Sequence, residues 1–172
     1  MLIRRERAAD VSSVRAVHAA AFADPERPER VPAEVGLVDE LRAGDAWIPE
    51  LSVVALRDDE IIGHVVCTRA HVGDVPALAL GPIGVLPGRQ GRGTGSALMH
   101  AVLGAADALA EPLVGLLGHL DYYPRFGFAP AAQHGITPPV PEWAPHFQVR
   151  PLTSYDASIR GEFAYAEPFL EV

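Results

Sequence analysis

One segment, Val85-Leu86-Pro87-Gly88-Arg89-Gln90-Gly91-Arg92-Gly93-Thr94-Gly95, limits what this chain can fold into more than any other. The apolar run at residues 77–85 reads as a strand, and residues 93–109 read as a helix. A glycine-rich turn between them places several backbone N–H groups at a helix N-terminus. Those donors have no intrahelical partner and carry partial positive charge, so they favour an anion. Glycine lets the backbone approach that anion without a Cβ in the way. Arg89 and Arg92 add full positive charge to the same turn. The arrangement predicts a cradle for a pyrophosphate.

Other readings of the turn compete. A phosphate-binding loop of the Walker type needs Gly-Lys-Ser/Thr, and the chain contains no lysine. A dinucleotide fingerprint is nearer: Gly91-x-Gly93-x-x-Ser96 almost fits Gly-x-Gly-x-x-Gly, with Asp121 after the next strand. Its third glycine is absent, and its acidic residue comes later than the usual ~20 residues. The turn also sits mid-chain, which leaves too little sequence for a six-stranded doubly wound sheet. The bland alternative is a flexible surface turn with solvated arginines.

A second motif lies downstream. Tyr122-Tyr123-Pro124-Arg125-Phe126-Gly127-Phe128 follows a short, wholly apolar strand at residues 113–118. Together the two motifs resemble the signature of the GNAT superfamily of N-acetyltransferases. Its cofactor motif is Gln/Arg-x-x-Gly-x-Gly/Ala after a strand ending Val-x-Pro. Gln90, Gly93 and Gly95 match it, preceded by Val85 and Pro87. Its Tyr-x-x-x-Gly-Phe segment is matched by Tyr123, Gly127 and Phe128. Two motifs in this order, separated by one helix and one strand, are far more specific than either alone. The resemblance covers residues 83–128 directly and the N-terminal third more loosely. The tail is similar to uncharacterised small-molecule members that end in a strand like Gly161-Glu162-Phe163-Ala164-Tyr165.

The resemblance implies an α/β (α+β) fold: a mixed, mostly antiparallel sheet flanked by helices and splayed between the 77–85 and 113–118 strands. The implied cofactor is acetyl-CoA. Its pantetheine arm enters the splay against backbone groups of Ile83, Gly84 and Val85. Its pyrophosphate rests on the amides of Gly91, Arg92, Gly93, Thr94, Gly95 and Ser96, beside Gln90. Phe126 is expected beside the arm, with simple core packing as the alternative. The implied reaction is attack of a primary amine, carried by a small molecule rather than a large protein surface, on the thioester. A backbone amide near Val85 steadies the oxyanion, and Tyr123 acts as general acid. An unperturbed phenol, pKa about 10, holds its proton at neutral pH and can donate it.

Tyr122 is the neighbouring alternative, and simple packing is the competing role for Tyr123. The general base is open among Glu34, His64, His71, Asp74 and His119. The 77–85 strand lacks the glutamate that some relatives place there. His119 stands where many relatives carry an asparagine. Glu34 opens a stretch, Glu34-x-x-Leu37-Val38-x-x-Leu41-Arg42, that resembles a helix near the acceptor cleft in the small-molecule subgroup. A non-catalytic acyl-CoA sensor is the rival from another class.

Composition narrows the partners. At 172 residues the chain fits one domain, and 49% hydrophobic residues support a sizeable core. A net charge of -8 argues against non-specific nucleic-acid binding. Acidic residues crowd positions 24–50 and could attract a cationic amine, or simply form a solvated face. All 14 basic residues are arginine. Cys67, the single cysteine, reads as a buried filler. His64 and His71 have no further ligands at metal spacing, so no metal is expected. The N-terminus lacks an apolar signal region, and no stretch approaches a membrane span, so a cytoplasmic protein is expected. A homodimer is compatible with the family, whose terminal strands often pair or exchange.

Along the rest of the chain, residues 2–5 read as a strand and Asp10 as the cap of a helix to about residue 23. A loop at 24–32 precedes a helix at 33–42. Residues 51–57 and 60–71 form a hairpin around Asp58-Asp59, with a bulge marked by Gly63. Gly81-Pro82 bends or bulges its strand. Leu98, Val102, Ala105 and Leu109 form the inward stripe of the helix after the turn. A short helix at 122–126, a stiff loop at 138–145 and strands at 147–152 and 162–165 complete the reading.

Overall fold

The computed structural model describes residues 1–172. In chain order the elements are β1 (Leu2–Arg5), α1 (Val11–Ala21), α2 (Ala33–Ala43), β2 (Trp47–Arg57), β3 (Glu60–Val72) and β4 (Val75–Val85). Then come α3 (Thr94–Ala108), β5 (Leu113–Leu117), β6 (Ala129–Pro130), β7 (Ile136–Thr137), β8 (Phe147–Pro151) and β9 (Gly161–Ala164). The sheet runs β1-β2-β3-β4-β5-β8-β6, with β9 paired to β3 and to β7. Pairing is antiparallel except for β4–β5 and β7–β9. This is the mixed, mostly antiparallel sheet that the motifs imply.

The site depends on how β4 leaves β5. The two strands pair only at Leu78↔Val114 and Ala79↔Gly115. Beyond that point β4 stays on β3, with a register shift between Val65↔Ile83 and Cys67↔Leu80. Gly81-Pro82 supplies the extra residue of this bulge, and proline brings no ladder donor. The strands therefore splay. A second irregularity falls beside Gly63, between Ala55↔Gly63 and Leu56↔Ile61. Asp58 and Asp59 make the β2–β3 turn at φ of 52° and 63°, as a two-residue primed turn requires.

Strand alternation sends successive side chains to opposite faces. Val53, Ala55 and Cys67 pack under α3, while Val54 and Leu56 pack with Val14 of α1 and Val38 of α2. The buried face of α3 comprises Leu98, Met99, Val102, Leu103 and Ala106. That corrects the expected stripe: Ala105 is half-buried and Leu109 is 44% exposed, because the helix ends at Ala108 and its last turn overhangs the sheet. Asp10 also departs from expectation. Its carboxylate makes no cap bond to α1. It instead accepts the Arg7 amide at 2.7 Å and two bonds from Arg4 at 2.6 and 3.0 Å, tying β1 to the turn before the helix. Cys67 is fully buried, and burial pushes its thiol well above the usual range, as suits a filler.

Candidate active site

The cradle forms where α3 begins. Gly93 is the N-cap residue at φ 85°, in the left-handed region, and Gly91 sits at φ 70°. The amides of residues 91–96 donate to no backbone carbonyl; the first such bond is Ala97 N–H to Gly93 C=O at 3.0 Å. Their donors face a groove of about 440 Å³ lined by Gly91, Gly93, Gly95, Ser96, Tyr122 and Arg125, among others. Gln90 donates through Nε2 to the Val85 carbonyl at 3.0 Å and so fastens the turn to β4.

The free edge of β4 continues the groove. Leu86 N–H bonds the Ile62 carbonyl at 2.9 Å. Amides alternate along an antiparallel strand, so the groups of Gly84 face β3 while those of Ile83 and Val85 face the gap toward β5. Gly84 is thereby excluded as a hydrogen-bonding partner on the open edge, contrary to expectation. A Cβ there would meet His18 Nδ1 of α1 at 2.9 Å.

A second cleft, of about 400 Å³, opens on the other side of the splay and shares Ile83 with the first. Glu34, His119, Tyr123 and Trp143 line it. The two adjacent tyrosines part here. Tyr122 turns to the cradle, where a Cβ on Gly95 would come within 2.8 Å of its hydroxyl. Tyr123 turns to the second cleft. Its ring lies flat enough on Gly118 that a Cβ at that glycine would overlap it. Burial, reinforced by Tyr122, pushes the Tyr123 hydroxyl up to about 12.

Comparison with known proteins agrees with this geometry. A family model described as an acetyltransferase (GNAT) domain matches residues 2–131. The chain belongs to the GNAT acetyltransferase family. The GNAT chain is 30% identical over 167 residues to the Escherichia coli K12 protein described as uncharacterized N-acetyltransferase YjhQ, covering 92% of this chain and 88% of that one. The E. coli GNAT protein YhbS, crystallised with CoA, superposes with a TM-score of 0.88 at 28% identity, over 98% of this chain and 91% of its own. A Brucella melitensis GNAT acetyltransferase in complex with acetyl-CoA gives a TM-score of 0.78 at 32% identity, over 98% and 97%.

Within this GNAT fold the expected site residues separate. Ile83, Val85, Gln90, Gly91, Gly93, Gly95 and Ser96 line the cradle. Arg92 is exposed, Thr94 is buried with its side chain toward Gly63, and neither side chain lines the groove, so each can offer only its amide. Phe126 lines neither cleft. It is a core residue, 5% exposed and packed edge-on against His100 at 5.2 Å, because the turn after Tyr123 rolls it beneath α3. Arg89 stands near Glu60, Nη2 to Oε2 3.6 Å. The cation at the groove is Arg125, its guanidinium 4.8 Å from the Tyr122 ring centroid. Its place inside the second motif was the available signal. Among the base candidates, Glu34 and His119 line the second cleft, whereas His71 and Asp74 are exposed elsewhere and His64 is buried.

His64 belongs to a polar chain that composition and spacing did not reveal. Ser52 Oγ donates to the Glu6 carboxylate, so it accepts from His64 Nε2–H at 2.8 Å. His64 Nδ1 then accepts from His18 Nε2–H at 2.8 Å, a tautomer fixed by the network. Arg42 Nη2 closes the chain on Glu6 at 2.7 Å. His18 falls on the Val14–Val17 stripe of α1, a spacing that marks it as buried. Burial, with His64 and Arg42, pushes His18 down to about 3. Burial works to raise Glu6, but hydrogen bonds to His64 and Ser52 and the Arg42 charge bring it down to about 2.

Both shifts act in the same direction on stability. An unfolded histidine binds a proton below about 6.5 and the folded His18 does not, so stability present above that pH falls as pH drops toward 3. Glu6 adds a further loss from about 4.5 toward 2. The thermal midpoint, followed by circular dichroism, should decline steadily below pH 6.5. A midpoint unchanged between pH 7 and pH 4 would show that this chain does not stay neutral in the fold.

Proposed function

We propose that this protein transfers an acetyl group from acetyl-CoA to the primary amine of a small molecule. The observation that carries the reading is the meeting of the two clefts at Ile83 in the β4–β5 splay, with unpaired amides on one side and the Tyr123 hydroxyl on the other. The residues fit the cofactor: a row of free donors, one cation and a glycine surface that a Cβ at position 95 would close. Ile83 and Val85 offer strand-edge groups to an amide-rich arm. When bound, acetyl-CoA supplies an acyl group activated as a thioester.

The chain's own groups do the rest. The Val85 amide, on the open edge, donates to oxygen where negative charge develops. Tyr123 holds a proton at the second cleft and gives it to the departing sulfur. Glu34 and His119 are the groups in that cleft able to take a proton from the amine. Because Tyr123 is pushed up to about 12, the alkaline limb of the rate profile should stay flat through pH 10. Loss of turnover with an apparent pKa near 10 would assign the donor elsewhere.

The deciding experiment is calorimetric titration with acetyl-CoA, NADH as control, followed by an amine screen with thiol detection. Acetyl-CoA binding and amine-dependent thiol release are expected. Binding of NADH instead would return the turn to the dinucleotide reading. Acetyl-CoA binding with no turnover on any amine would favour a sensor.

A further inference from the structure

Resting on the transferase reading, we propose that the acceptor is an arylalkylamine: a primary amine paired with Glu34, an aromatic body against Trp143 and Phe169, and no acidic group. The walls of the second cleft argue for it. Glu34 is the one carboxylate side chain lining the cleft, and no arginine lines it. The other acids between residues 24 and 50 do not reach it: Asp39 is taken by Arg15 and Arg42, and Glu50 by Arg5. A carboxylate or phosphate on the acceptor would meet Glu34 and find no guanidinium to pair with. A polyamine would bring further ammonium groups where Glu34 is the single side-chain carboxylate.

Much of the remaining wall is aromatic, with three of its rings in one continuous row. Trp143 meets Tyr165 edge-on at 5.9 Å, and Tyr165 meets Phe169 at 5.0 Å. Phe22, at the end of α1, adds a further ring. These rings come from three separate stretches of chain, and all of them line this cleft rather than the cradle. Leu80, Ile83 and Tyr123 line the splay itself, where the acetyl group must pass. What remains for the acceptor is a mostly apolar cleft with one side-chain carboxylate, which suits a ring and one ammonium. α2 sets Glu34 and Leu37 one turn apart on the same face, so carboxylate and apolar floor are delivered together.

The test uses three probes on the intact protein: 2-phenylethylamine, phenylalanine and spermidine. Each is titrated calorimetrically into protein saturated with CoA, and each is assayed with acetyl-CoA by thiol release. 2-Phenylethylamine should bind and show a kcat/KM about 100-fold or more above the other two. Glu34→Gln should raise its KM about tenfold. Trp143→Ala should also raise that KM, and the acetyl-CoA affinity of both variants should be unchanged. Turnover that favours phenylalanine or spermidine would overturn the acceptor class while leaving the transferase reading intact. Glu34-dependent binding of 2-phenylethylamine without thiol release would keep the acceptor class and overturn the transferase. Absence of both binding and turnover with 2-phenylethylamine would also overturn the class, as would a Glu34→Gln variant with unchanged KM.

Discussion

Tyr123→Phe should lower kcat by about 100-fold at neutral pH while acetyl-CoA affinity stays unchanged, the size expected when a positioned general acid is removed. The substitution deletes only the hydroxyl. The ring keeps its seat on Gly118 and its edge contacts with Tyr122 at 5.0 Å and Phe128 at 5.9 Å. No hydrogen bond holds the hydroxyl's proton state, so the fold loses none with it. Steady-state assays with thiol detection, alongside acetyl-CoA titration, measure the effect. Undiminished turnover with every amine tested would remove Tyr123 from the mechanism. Gly118→Ala provides an independent check. Its methyl group displaces the ring and should reduce kcat without removing any donor, whereas Tyr122→Phe should act chiefly on cofactor affinity.

Gly93→Val should raise the dissociation constant for acetyl-CoA by about 100-fold or more, as loss of several charge-assisted backbone bonds requires. The physical cause is local. Gly93 sits at φ 85°, where a β-branched residue is a genuine outlier, and a Cβ there projects into open space rather than into the protein. The added side chain therefore stands on the groove surface, and the backbone must rotate its amides off their common target. Gly88→Ala serves as control: a Cβ at position 88 meets nothing and its φ is ordinary, so affinity should hold. Circular dichroism separates lost binding from lost folding. Wild-type affinity in a folded Gly93→Val protein would place the pyrophosphate elsewhere.

Much of this site was legible locally. The strand–turn–helix from β4 into α3 follows from apolar run, glycine spacing and helix propensity, all short-range properties. The bulges at Gly63 and at Gly81-Pro82 were readable for the same reason, since glycine and proline act on their own backbone. The choice of Tyr123 over Tyr122 followed from motif position, and the structure sends the two rings to different clefts. Side-chain destinations were less legible. Phe126 and Leu109 carry the same apolar signal, yet one is buried in the core and the other overhangs the sheet edge. Arg89, Arg92 and Arg125 are equally basic, yet only Arg125 lines the groove.

By itself, the sequence determined the elements and the backbone chemistry of the cradle, because dihedral preference and hydrogen-bond alternation act between near neighbours. Tertiary structure alone decided which distant groups share a space. The splay of β4 from β5 creates two clefts that meet at Ile83. The fold brings Glu34 to the same wall as Trp143 and Phe169, and links Glu6, Ser52, His64 and His18 in one buried chain. Those groupings depend on how whole elements pack, and packing is settled by the summed burial of many side chains rather than by any one of them.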